Sequence, residues 1–327
     1  MKVLVTGSSG HLGEALMRLL PGLGHEAVGL DLLASPFTTY QGTITDRAVV
    51  DRALQGVEAV LHTATLHKPH VASHTKHAFI DTNIAGTLTL LEAVARTGLR
   101  RFVFTSTTSA FGAALSPEPE FPAAWIDETV VPVPKNIYGT TKTAAEDLCH
   151  LFTRLHGLNC IILRTSRFFP EADDDEAIRS AFTDQNAKAN EFLFRRVDIA
   201  DAAMAHVQAM LHAPDIKFAR YIISATTPFD RSDLVGLRED PALVVASLFP
   251  DFRQIYDTAS FAMFPDIDRV YCNDLARREL KWEPQHDFGS VLGQIERGEP
   301  IGSALGQLVR IKGYHGALFA DGLYPTG

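Results

Sequence analysis

Residues 2–20, KVLVTGSSGHLGEALMRLL, decide the fold. A short apolar strand pattern runs into three glycines in seven residues, Gly7, Gly10 and Gly13, and an apolar helical pattern follows at once. Such a turn is either a tight corner without a ligand or a phosphate cradle. Its surroundings favour the cradle. The next strand pattern ends in an acidic residue, Asp31, 21 residues past Gly10. In a dinucleotide site, glycines let the backbone turn sharply and approach the pyrophosphate, whose charge sits at the helix N-terminus. An acid at the end of the second strand accepts hydrogen bonds from the adenosine ribose. It also repels a 2′-phosphate, so NAD is expected rather than NADP.

The rhythm continues outward. Strand patterns KVLVT, EAVGLD, EAVLHTA, RRFVFTS, NCIILRT and ARYIISA alternate with helical patterns near 11–20, 46–55, 76–97, 136–156 and 198–212. Strands that are apolar throughout, separated by helices, predict an α/β fold: a doubly wound parallel sheet of the Rossmann type. After residue 165 the rhythm weakens, and a smaller C-terminal substrate lobe is expected. Residues 1–165 form the dinucleotide-binding domain, rejoined by 196–226, while 166–195 and 227–327 interweave as the substrate-binding lobe. The acidic run Asp173–Asp175 reads as a solvated loop.

Composition narrows the class. With 46% hydrophobic and 21% charged residues among 327, the chain is long enough to bury a sizeable core. A net charge of −9 argues against nucleic acid as a partner, since phosphate neutralisation needs clustered Lys and Arg. Cys149, Cys160 and Cys272 show no disulfide or zinc spacing, and no signal-peptide pattern or membrane-length apolar run is visible. A cytoplasmic protein with no membrane partner is expected.

The motifs, in order, are TGSSGHLG, LHTATLH, DTNIAGTLTLLEAV, RFVFTSTTSAFG, YGTTK, RRVDIADAAMAHVQAM and NDLARRELKWEP. Together they resemble the extended short-chain dehydrogenase/reductase superfamily, the branch of NAD-dependent epimerases and dehydratases. The likeness runs through most of the chain. It implies an NAD-dependent enzyme, a small-molecule substrate, and a homodimer formed by helices 76–97 and 136–156.

The chemistry centres on YGTTK. Tyr138 and Lys142 are four apart and share a helix face. Phenol is a weak base at its ordinary pKa of about 10. A neighbouring ammonium and an oxidised nicotinamide favour phenolate and bring it towards working range. The resemblance sets Thr107 at the catalytic hydroxyl position and gives Lys142 a bond to the nicotinamide ribose. It implies further cofactor contacts at Gly7, Ser9, Gly10, His11, Leu12, Gly13, Asp31, Thr43, Ile44, His62, Ala64, Asn83, Thr105, Tyr138 and Arg164. Substrate contacts are expected at Thr107, Thr108, His67 and Arg167.

Departures matter as much. Phe111 stands where the family often has Tyr. Thr108 and Ser109 stand where its dehydratases carry Asp and Glu, so dehydration lacks its acid and base. Thr43 and Ile44 replace an adenine-binding Asp, which leaves that contact to the backbone. RTSRFFP replaces R-x-F-N-x-Y-G-P, placing Arg167 at the Asn position, where a guanidinium could clamp a carboxylate or phosphate. A sugar, sugar acid or similar polyol becomes the expected substrate, oxidised at a carbinol. An epimerase with transient hydride transfer is the alternative, and a non-catalytic NAD-binding sensor a third reading. The histidines His62, His67, His70, His74 and His77 read as loop or substrate-contact residues, with no metal expected.

Overall fold

The computed structural model describes residues 1–118 and 120–312. Residues 313–327, the end of the expected lobe, lie outside them. Nine strands occur in the described residues: β1 (Lys2–Thr6), β2 (Glu26–Asp31), β3 (Tyr40–Gln41), β4 (Ala59–His62), β5 (Arg101–Thr107), β6 (Ala124–Ile126), β7 (Asn159–Thr165), β8 (Phe218–Ile223) and β9 (Arg269–Tyr271). Seven form one sheet in the order β3-β2-β1-β4-β5-β7-β8, every neighbouring pair parallel. The six expected strands are all in it; the two-residue β3 is the addition.

Alternation along the strands supplies two cores. Val3, Val5, Leu61, Val103 and Leu163 face the helices His11–Gly22 and Ile199–Ile216. Leu4, Val60, Phe102, Phe104 and Ile162 face Arg47–Ala53, Thr87–Thr97 and Ile137–His156. Helix starts follow their capping residues: Asp46, Asn136 and Asp198 each accept from a backbone amide in the first turn. Chain order reverses about β1, so the crevice beyond the carboxyl ends of β1 and β4 is the ligand position of such a sheet.

One expectation changes. The single helix over 76–97 is interrupted: Lys76–Phe79 is α, Ile80–Gly86 is a π-helix and Thr87–Thr97 is α again. The region after β8 is mostly short helices, among them Pro241–Leu248, Phe252–Ala259 and Phe288–Glu296. These helices share an aromatic-rich core with Phe192, Phe194 and Phe264. The small sheet β6–β9 lies at the edge of this lobe. Trp282 is buried and donates to the Asp201 carbonyl, while Asp201 accepts from the amides of Gln285 and His286, so KWEP is tied to the helix after β7.

Candidate active site

One cleft of about 1010 Å³ runs across the carboxyl ends of the strands, at the upper end of the roughly 300–1,000 Å³ typical of ligand pockets. At one end the glycine turn forms its wall. Gly7 sits at φ +72°, a left-handed conformation in which its amide bonds Leu30 O at 2.8 Å. A Cβ on Gly13 would stand 1.9 Å from Gly7 O, so helix His11–Gly22 can approach the turn only through glycine. Its first residues, His11, Leu12 and Gly13, line the cleft, so its N-terminus stands where a pyrophosphate site requires it. Asp31 accepts from the Ser9 amide through Oδ2 and from Leu33 through Oδ1, both at 2.9 Å, with lone pairs remaining for ribose hydroxyls. Ser9, His11, Leu12, Thr43, Ile44, Ala64 and Thr105 also line the cleft. The residues present fit a bound dinucleotide.

The catalytic candidates meet at the middle. Asn136 caps helix Ile137–His156 and delivers Tyr138 to the cleft in its first turn. The phenol of Tyr138 stands beside the hydroxyl of Thr107, the last residue of β5. Burial raises the Tyr138 phenol to about 12, against the opposing pull of that hydroxyl. Burial lowers Lys142 to about 7, against Glu146 and Cys149. The structure therefore gives no depression of Tyr138 by Lys142: burial is the dominant influence on the phenol. Lys142 lies behind the wall, its Nζ 4.0 Å from the centre of the Phe104 ring.

Three other expected cofactor contacts are placed elsewhere. His62 is buried between Thr6 (2.7 Å) and Thr87 (3.0 Å), and burial, with Lys142 nearby, lowers it to about 3. It is a neutral strut of the sheet. Asn83, in the π-helix, bonds both the amide and carbonyl of Leu66 and donates to Thr141 Oγ1 at 3.0 Å, bracing the cleft loop against the Tyr138 helix. Arg164 forms a buried fork on Glu146, at 3.1 and 2.8 Å, which Ser106 and Arg220 also bond.

At the other end, Thr108, His67 and Arg167 line the cleft as expected. Of the acidic run, only Asp175 is solvated as expected; Arg167 Nη1 binds Asp173 at 3.0 Å and Asp174 at 3.1 Å, Nη2 donates to Ala172 O at 2.9 Å, and Lys68 pairs with Asp174. His67, His70 and His74 follow the rim with ring centres 4.6 and 5.0 Å apart, and His77 is exposed. No group of three His, Cys, Asp or Glu side chains suited to a metal occurs among the described residues.

Sequence reasoning missed Arg195, Arg269, Tyr271, Glu171 and Lys312, all of which line the cleft. Arg195 opens the recognised motif RRVDIAD and Tyr271 stands two residues before NDLARRELKWEP, so both could have been found there. Tyr271 stacks on Phe111 at 5.9 Å with its phenol near Thr108 and Arg269, so a phenol from β9 supplies a polar group where Phe111 has none. Glu171 pairs with His11 at 2.9 Å, and Lys312 with Glu14. No sequence signal marks those two.

A glycine cradle, a strand-end acid and a Tyr–Thr pair on a doubly wound sheet define a dinucleotide-dependent oxidoreductase fold. The sequence pattern of the NAD dependent epimerase/dehydratase family matches residues 3–218, and the chain belongs to that family. It is an enzyme of the extended short-chain dehydrogenase/reductase type, and its cofactor is NAD. UDP-glucose 4-epimerase of Rhizobium meliloti is 25% identical over 323 residues, covering 88% of this chain and 94% of its own. UDP-glucose 4-epimerase of Streptomyces lividans is 31% identical over 171 residues, and there the chain spans only 50% of the relative's length. A short-chain dehydrogenase/reductase superfamily protein of Agrobacterium tumefaciens with bound NAD superposes with a TM-score of 0.65 at 21% identity, covering 91% and 96% of the two chains.

Proposed function

We propose that the enzyme oxidises a carbinol of a sugar, sugar acid or similar polyol, with Tyr138 as general acid/base. The supporting observation is the Tyr138–Thr107 pair, buried on the cleft floor with Lys142 one helical turn behind. Thr107 holds the substrate oxygen beside the phenol. Tyr138, as phenolate, takes the hydroxyl proton while the carbinol C–H bond breaks, so the substrate leaves as a ketone, two electrons poorer. When bound, oxidised NAD supplies the hydride acceptor and a positive charge at this end of the cleft. Lys142, when protonated, adds to that positive charge and favours phenolate over the neutral phenol. Neither Thr108 nor Ser109 offers a carboxylate for dehydration.

A second reading, epimerisation, draws on the near full-length similarity to the Rhizobium enzyme. It shares the first half-reaction and returns hydride to the other face. A panel of sugars, sugar acids and UDP-sugars with oxidised NAD separates the two. Accumulating reduced cofactor supports the dehydrogenase; isomerised product without it supports the epimerase, and neither on any carbinol refutes both. The same reading makes the protein a cytoplasmic homodimer through Thr87–Thr97 and Ile137–His156, the second of which leaves Leu151 41% and Leu155 64% exposed. A monomer in sedimentation refutes the dimer.

A further inference from the structure

The substrate end of the cleft carries its own anions. Among the described residues, every lysine and arginine lining the cleft, apart from exposed Lys135, is paired with a carboxylate of this chain. Two of those carboxylates hold most of the charge at the lobe side. Asp173 Oδ2 takes Arg167 at 3.0 Å and Arg195 at 3.5 Å; Asp174 takes Arg167 at 3.1 Å and Lys68.

We propose that Asp173 and Asp174 are specificity-determining residues that occupy Arg167, Arg195 and Lys68 in place of a ligand anion, so that this end of the cleft, beyond the dinucleotide, takes an uncharged sugar or polyol in preference to a nucleoside diphosphate. This rests on the carbinol oxidation proposed above and narrows its substrate class.

The loop is built to stay. Arg179 donates to Asp173 O at 2.7 Å, and the Asp175 amide donates to Asp173 Oδ1 at 2.8 Å. Asp175 in turn caps helix Glu176–Ala181 through the Ala177 amide. The Asp173 side chain is only 6% exposed. Behind it stands a third carboxylate, Glu191, which bonds Arg195 at 3.0 Å and Arg196 at 2.7 Å. Burial would raise Glu191, but arginines 195, 167 and 196 outweigh it and hold it ionised, at about 2. A diphosphate entering here finds these cations already paired with carboxylates the fold holds in place, and it must displace those carboxylates to gain any ion pair of its own. Uncharged hydroxyls face no such barrier, because carboxylate oxygens accept hydrogen bonds from them.

The test is calorimetric titration of the NAD-saturated protein with inorganic pyrophosphate and, separately, UDP. The wild-type protein is expected to bind neither up to about 1 mM, the edge of weak affinity. Asp173→Asn/Asp174→Asn is expected to bind pyrophosphate at least about tenfold more tightly, with a salt dependence that marks the exposed guanidiniums. Should circular dichroism show the double variant unfolded, Asp174→Asn alone, at the more exposed of the two positions, carries the comparison. Micromolar UDP binding by the wild-type protein, or no gain in the folded variant, overturns the proposal. Turnover of UDP-glucose that Tyr138→Phe abolishes also overturns it, while leaving the hydride-transfer reading intact. Absence of turnover on any carbinol would sink that reading instead, and the binding arms would still decide this one.

Discussion

The two ends of the cleft are made of different material. At the cofactor end the wall is mostly backbone: the Gly7 amide on Leu30 O, the Ser9 amide on Asp31, and helix His11–Gly22 pressed against a glycine carbonyl. At the substrate end the wall is side-chain charge, in which Arg167, Arg195, Lys68, Asp173, Asp174 and Glu191 neutralise one another. A backbone wall tolerates almost no change of shape, and a charged wall tolerates almost no change of charge. Between them lies Tyr138, which belongs to neither.

That middle position gives the largest expected effect. Tyr138→Phe removes the proton acceptor without altering the glycine turn. Turnover should fall by about 10²–10⁴-fold, the usual contribution of a general acid/base, with NAD binding held by the untouched cradle. Full turnover in a steady-state assay would remove Tyr138 from the chemistry.

Next in size is Gly13→Ala, which tests the backbone wall. The added Cβ would lie 1.9 Å from Gly7 O, and a carbonyl in a tight turn cannot swing away as a flexible side chain could. Overpacking of this kind costs about 1–3 kcal/mol, and the loss should show in NAD affinity as well as in the melting temperature. Gly22→Ala, at a position with no heavy atom within 4 Å, is the control and should leave affinity unchanged.

The same contrast explains what could be read from the sequence. Glycine spacing, strand-end Asp31 and the Tyr138–Lys142 interval are local patterns with one physical meaning each, so the sheet and the cofactor end were legible. Ion pairs are not local. Nothing in ADDDEA says that Lys68, 106 residues earlier, will meet Asp174. The run therefore looked solvated until the fold brought Arg167 and Arg195 over it. His62 misled for a related reason: its place in LHTATLH fits a cofactor contact, but β4 turns its ring inward onto Thr6 and Thr87. The helical lobe after β8 was hidden because its helices are short, eight or nine residues in Pro241–Leu248, Phe252–Ala259 and Phe288–Glu296, too few turns for an apolar face to repeat.

Acid stability should then track the sheet rather than the charged end. His62 and His206 are buried and lowered by burial to about 3 and about 4, from the ordinary 6.5. In the unfolded chain they bind protons below pH 6.5; in the folded chain they do not until much lower. Their contribution to stability is thus fully present above 6.5 and is lost as pH falls from there towards 3. The slope is about 1.4 kcal/mol per pH unit for each such group. Melting temperatures of wild type and His62→Gln between pH 7 and 4 should converge as pH falls. Parallel curves would mean that His62 titrates alike in the folded and the unfolded chain.

The smallest effect asks whether the two ends are independent. Lys68 belongs to the rim beside the sheet and Asp174 to the lobe, so their pair ties one side of the cleft to the other. Lys68 is 41% exposed and Asp174 13%, so solvent screens the attraction, and Lys68→Met should reduce stability by no more than about 1 kcal/mol. Arg167 still holds Asp174 at 3.1 Å, which keeps the loop in place. NAD affinity, set by glycines and Asp31 at the opposite end, should not move. If calorimetry shows it falling in step with stability, the charged wall helps shape the backbone wall and the cleft is a single coupled unit.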